Sequence, residues 1–189
     1  EGTDGHLVIR RYVKTIDDYA FQGCAFQHLE FDLDRSKTSG GITDSNKLTL
    51  GTGAFANCNQ LRFELILPEL TDDKIPDRSF MGCSGIQHIE YANSIKTIGK
   101  YAFYGCSGVT GQLEIMPSVK RIEEYAFAKC TGYSGSLTIN VDPSGDQTII
   151  GPHAFDGCKG FKDGELNIFV EKDEEAKKIY ENNAPDTYH

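Results

Sequence analysis

Six cysteines, five histidines and several glutamates at matching places are the residues of this 189-residue chain that could do chemistry. Cys24, Cys58, Cys83, Cys106, Cys130 and Cys158 could form three disulfides, hold a metal or pack as thiols. Their spacings are 34, 25, 23, 24 and 28 residues, a near-constant period that puts each thiol at one place in a repeat. Stacked repeats would line the thiols up roughly 5 Å apart. Disulfides need Cβ atoms near about 3.8 Å and a dihedral near about 90°. Zinc needs four ligands converging on one point, which a straight row does not supply. The cysteines are therefore read as buried, unpaired thiols, and they say little about redox compartment.

The histidines are His6, His28, His88, His153 and His189. Gln27-His28-Leu29-Glu30 and Gln87-His88-Ile89-Glu90 repeat one motif, two rungs apart. That separation is about 10 Å, too far to share an ion. A calcium site has no clustered Asp-x-Asp loop to support it. No nucleophile elbow, phosphate-binding glycine loop or zinc-hydrolase motif is present. The expectation is a chain with no catalytic residues, no metal and no cofactor.

What must position these residues is a repeat of six copies. Val13-Lys-Thr-Ile16-Asp-Asp-Tyr-Ala20-Phe21-Gln-Gly-Cys24 matches the phrases ending at Cys106 and Cys130, and more loosely those ending at Cys58, Cys83 and Cys158. A period of about 20–29 residues is that of a leucine-rich solenoid. A short alternating segment follows each turn: Leu29-Glu-Phe31, Phe63-Glu-Leu65, Ile89-Glu-Tyr91, Leu113-Glu-Ile115, Leu137-Thr-Ile139 and Leu166-Asn-Ile168. Alternation of period two predicts half-buried strands. Leu7-Val-Ile9 is a seventh rung, so the chain opens in mid-repeat, either capped there or cut from a longer array.

The predicted ladder inside the solenoid pairs Phe21 with Cys24, Phe55 with Cys58, Phe80 with Cys83, Phe103 with Cys106, Phe127 with Cys130 and Phe155 with Cys158. No rung buries its face alone, so stability comes from neighbour contacts. Glu30, Glu64, Glu90, Glu114, Thr138 and Asn167 take the outward strand position and form the candidate binding face. Stacked carboxylates repel one another, so the stripe is either a merely solvated face or an attractor for a basic partner. Tyr19, Tyr101 and Tyr125 precede Ala-Phe and are expected to pack on the outer surface of the turns.

Composition narrows the functions. A net charge of −9 argues against nucleic acid and anionic membranes. No apolar run approaches the roughly 18 residues that span a bilayer, and no signal peptide opens the chain, as in a trimmed secreted protein or a cytosolic one. Residues 34–47 are polar and rich in Gly and Ser, and predict a protruding loop. Residues 173–181 predict a short amphipathic helix capping the last rung, with Asp173 as its N-cap. One domain is expected: a solenoid over 1–170, then a capping helix and tail over 171–189.

The phrase Ile98-Gly-Lys-Tyr-Ala-Phe103-Tyr-Gly-Cys106-Ser-Gly-Val109, followed by Leu113-Glu-Ile115-Met-Pro117-Ser-Val119, resembles the BspA-like leucine-rich repeat family. The resemblance runs from about Leu7 to Ile168. It implies a right-handed coil with a curved parallel β-sheet of short strands and turns holding short helical or 3-10 segments. It also implies a surface-exposed or secreted protein that adheres to protein partners, host matrix proteins among them. A glycan-binding module and a structural spacer are the alternatives. The second repeat departs from the family: extra residues lie between Glu64 and Ile75, and Ser79 replaces Ala. Ser94 stands where an asparagine ladder would need Asn.

Overall fold

The computed structural model describes residues 5–32, 47–62, 64–139 and 148–158 and the backbone of 166–168. The expected C-terminal helix and tail over 171–189, and nearly all of the 34–47 loop, lie outside them. Thirteen strands follow in chain order: β1 (His6–Ile9), β2 (Thr15–Ile16), β3 (His28–Phe31), β4 (Thr49–Leu50), β5 (Glu64–Leu67), β6 (Lys74–Ile75) and β7 (His88–Tyr91). Then come β8 (Thr97–Ile98), β9 (Gly111–Ile115), β10 (Arg121–Ile122), β11 (Tyr133–Ile139), β12 (Ile149–Ile150) and β13 (Leu166–Ile168). All pairings are parallel. The chain is a parallel β-solenoid. Each coil gives a longer strand (odd numbers), a two-residue strand (even numbers) and a tight turn.

The turn carries the most regular hydrogen bonding. In each coil the amide of the Phe donates to the neighbouring coil: Phe21 to the Ala54 carbonyl, Phe55 to Ser79, Phe80 to Ala102, Phe103 to Ala126 and Phe127 to Ala154, at 2.8–2.9 Å. The amides two residues before and two after it do the same, as Tyr101 to Glu124 and Gly105 to Ala128. The amides between them bond within the turn, as Ala102 to Gly99 and Tyr104 to Tyr101. This alternation corrects the expected helical or 3-10 segments: no helix lies among the described residues. A helix needs consecutive amides bonded along the chain, and here every second one is taken by the next coil. Two left-handed residues per turn enforce the pattern, Tyr101 (φ 57) and Gly105 (φ 72) in the fourth copy.

The interior follows from the alternation. Leu29 and Phe31, Leu65 and Leu67, Leu113 and Ile115, and Leu137 and Ile139 point inward and are buried. Phe21, Phe55, Phe80, Phe103, Phe127 and Phe155 stack face to face, centroids 5.2–5.7 Å apart. Beside them lie Ala54, Ala102, Ala126 and Ala154, small enough for the bend. Ser79 replaces Ala at this place without cost to satisfaction, because its hydroxyl donates to the Pro76 carbonyl at 2.5 Å. Glycine marks the closest approach between coils: a Cβ on Gly108 would lie 2.3 Å from the Ser84 carbonyl oxygen of the preceding coil.

Candidate binding surface

The odd-numbered strands present one exposed face, and their register fixes which residues share a row. Val8 pairs with Glu30, Ile66 with Glu90, and Thr138 with both Glu114 and Asn167. Glu30, Glu90 and Glu114 are exposed and Thr138 is half-buried. Glu64 does not belong to this row. It pairs with His88, and Ile66 takes the outward place in its strand. The sequence alignment of Phe63-Glu-Leu65 was out by two residues, because Leu65 and Leu67 are the inward pair, both fully buried. Glu64 instead belongs to a second exposed row with the histidines, in which His6 pairs with His28.

The face is not one continuous sheet. β1 pairs with β3, β5 with β7, and β9 with β11 and β13. Across the breaks, the Arg62 amide donates to the Gln27 carbonyl at 3.0 Å and the Thr110 amide to the Gln87 carbonyl at 3.1 Å. A cleft of about 240 Å³ opens at the second break, lined by His88, Glu90, Gln112, Glu114, Tyr91 and Tyr133. Tyr91 bridges it, its hydroxyl accepting the Met116 amide at 3.4 Å. Burial pushes the Tyr91 phenol up to about 12, so it stays a neutral phenol at any ordinary pH.

The thiols are all free. Five donate to the Phe carbonyl one coil back: Cys58 to Phe21 at 3.0 Å, Cys83 to Phe55 at 3.0 Å, Cys106 to Phe80 at 3.2 Å, Cys130 to Phe103 at 3.1 Å and Cys158 to Phe127 at 3.1 Å. This role was missed from sequence; the constant three-residue offset between Phe and Cys is the trace it leaves there. Burial pushes the Cys106 thiol well above its ordinary range, which removes its reactivity. In the first coil Phe21 and Cys24 are only half-buried and Ala20 is exposed, since no described coil covers that side.

The tyrosines lie outside. Tyr101, Tyr125 and His153 stack in register at 5.1 and 5.0 Å, and the Arg78 guanidinium lies 5.5 Å over Tyr101. Tyr19 is exposed and lies against Gly53. Faces that are stacked on each other leave only ring edges for solvent. Elsewhere on the surface, Asp73 holds Lys47 at 2.8 Å and Lys96 at 3.0 Å, one from the coil on each side. These two lysines hold the Asp73 carboxyl below its ordinary value of 3.8.

Among the described residues no group of three or more His, Cys, Asp or Glu side chains could hold a metal ion. No helix there is long and apolar enough to cross a membrane. His189 lies outside the described residues. What the geometry defines is a leucine-rich-repeat solenoid with an exposed parallel-strand face. The model for the BspA type leucine-rich repeat region matches six copies, over residues 5–132 and 48–168. The chain belongs to that family.

The chain is also similar to solved structures. A leucine-rich repeat protein from Bacteroides ovatus aligns at 24% identity with a TM-score of 0.53, over 82% of this chain and 46% of that one. A leucine rich cell surface protein from Faecalibacterium prausnitzii aligns at 15% identity with a TM-score of 0.37, over 83% of this chain and 59% of that one. The chain thus spans about half the length of the solved structures it matches. No curated protein matches it.

Proposed function

We propose that this chain is a non-catalytic interaction module, at the cell surface or outside the cell, that binds a protein partner with a basic surface. The observation that carries the reading is the exposed row of Glu30, Glu90 and Glu114, with Glu64 in the row beside it. Thr138 and Asn167 extend the row without charge. Glu90 and Glu114, on neighbouring rungs and lining the same cleft, repel one another, Glu30 being set apart by Ile66, and a basic partner relieves that repulsion while being steered in by it. Residence at the surface rests on the family.

Size adds a constraint. Seven strands about 4.8 Å apart, each about 13 Å long, give a flat face of roughly 400 Å². A stable interface takes about 800 Å² from each partner. The partner therefore also touches flanking loops, or several modules act together. A glycan platform has less support, because Tyr101 and Tyr125 spend their faces on each other, on Arg78 and on His153. A spacer would show no saturable binding at all.

The test is binding of matrix proteins with basic surfaces at increasing salt. The double variant Glu90→Gln/Glu114→Gln is expected to bind more weakly and with a shallower salt dependence. Unchanged affinity and an unchanged salt slope would overturn the reading.

A further inference from the structure

The second break in the long-strand face is a gap with fixed ends. β7 and β9 do not pair, yet they are tied before and after the strands. The Thr110 amide donates to the Gln87 carbonyl at 3.1 Å on one side, and the Met116 amide to the Tyr91 hydroxyl at 3.4 Å on the other. Between these ties lies the cleft of about 240 Å³. We infer that this cleft is a socket for a single arginine side chain of the partner, an inference that rests on the protein-binding reading above.

Size and lining select the occupant. Small-molecule sites span roughly 300–1,000 Å³, and this cleft falls below that range, at the scale of one long side chain. Its depth is apolar: Val109, Leu113, Tyr91 and Tyr133 are buried around it and Met116 is half-buried. Its rim is rich in acceptors. Glu90 from β7 and Glu114 from β9 face it from opposite sides, with the Asn93 and Gln112 amides beside them, all exposed.

That layering separates the two long cations. A lysine would press its ammonium, a strongly hydrated point charge, onto an apolar floor and lose its water there for little return. A guanidinium is more weakly hydrated and carries every donor on its edge. It can lie flat on the floor while that edge reaches one carboxylate on each side. The first break does not repeat the arrangement: between β3 and β5 the outward residues are Glu30 and Ile66, so one of the two carboxylates is missing.

The experiment is NMR titration of the whole chain with a capped Gly-Gly-Arg-Gly-Gly peptide, and with its lysine and citrulline counterparts. The arginine peptide is expected to move the Val109, Leu113 and Met116 methyl resonances saturably, the lysine peptide to bind several-fold more weakly, and the uncharged citrulline peptide not to bind. Glu90→Gln and Glu114→Gln should each weaken binding about fivefold, and Glu30→Gln should leave it unchanged. Gln112→Trp, at an exposed position, keeps both carboxylates and plugs the cleft, so it should abolish binding. No saturable shift, equal binding of the lysine or citrulline peptide, or full binding by Gln112→Trp would overturn the socket. Binding of a basic matrix protein that Glu90→Gln/Glu114→Gln weakens and Gln112→Trp leaves untouched would also overturn it, while keeping the protein-binding reading.

Discussion

The turn side and the long-strand side of this solenoid are built from the same coils, yet they differ in tolerance. On the turn side, three amides per coil bond to the next coil without a break from Tyr19 to Lys129. On the strand side the pairing stops twice, between β3 and β5 and between β7 and β9. Residue choice follows the same division. The turns keep Phe and Cys in all six copies, while the outward strand row runs Val8, Glu30, Ile66, Glu90, Glu114, Thr138. The turns set the pitch of the coil, and this releases the strand face to vary.

Substitutions on the two sides should separate accordingly. Phe103→Ala removes a fully buried ring stacked on both sides, and should cost about 3–5 kcal/mol in denaturant unfolding. A loss below about 1 kcal/mol would mean that the stack does not hold the coils. Phe21→Ala, at the half-buried end of the same stack, should cost roughly half as much. Gly108→Ala pushes a methyl against a backbone carbonyl of the preceding coil and should cost about 1–3 kcal/mol. Glu90→Gln on the strand face should leave the Tm unmoved; a clear drop would show that the face is structural after all.

Thiol labelling sharpens the same contrast within the turns. Under native conditions Cys24 should react first, because it is half-buried while the other five are buried. After denaturation without reductant, six thiols should be counted; fewer would reveal a disulfide. The smallest effect belongs to Asp73. Its carboxyl titrates below 3.8 when folded, so the stability it contributes is present at neutral pH and is lost as pH falls through its folded value. Asp73→Asn should therefore lower the urea midpoint at pH 7, and the gap to the parent chain should close in strong acid. A gap that persists in strong acid would assign the effect to something other than the carboxylate.

The solenoid was legible in the sequence because its period is written in residue types that packing cannot exchange. Phe, Ala and Cys recur for reasons of volume and bend. β5 was misplaced because Phe63-Glu-Leu65 alternates while the true rung, Leu65-Ile66-Leu67, is apolar throughout, and only inter-strand pairing shows that Leu65 and Leu67 are its inward pair. The neighbour relation of His6 and His28 is hidden for a similar reason: the shared motif links His28 to His88, while the residue across the ladder sits in a phrase with no motif. The helical turns were expected from family likeness, and lost to a competition for amides that no local pattern reveals.

The direction of the turn-side bonds has one more consequence. Every one of them runs from a coil to the coil that follows it, and every buried thiol bond runs from a coil to the one before. The solenoid is thus a vector, with ends as distinct as the two ends of an actin filament. A coil grafted in the same sense finds donors facing acceptors, while a reversed coil finds like groups opposed. Engineered growth of this scaffold, and any exchange of its repeats by recombination, is confined to one orientation.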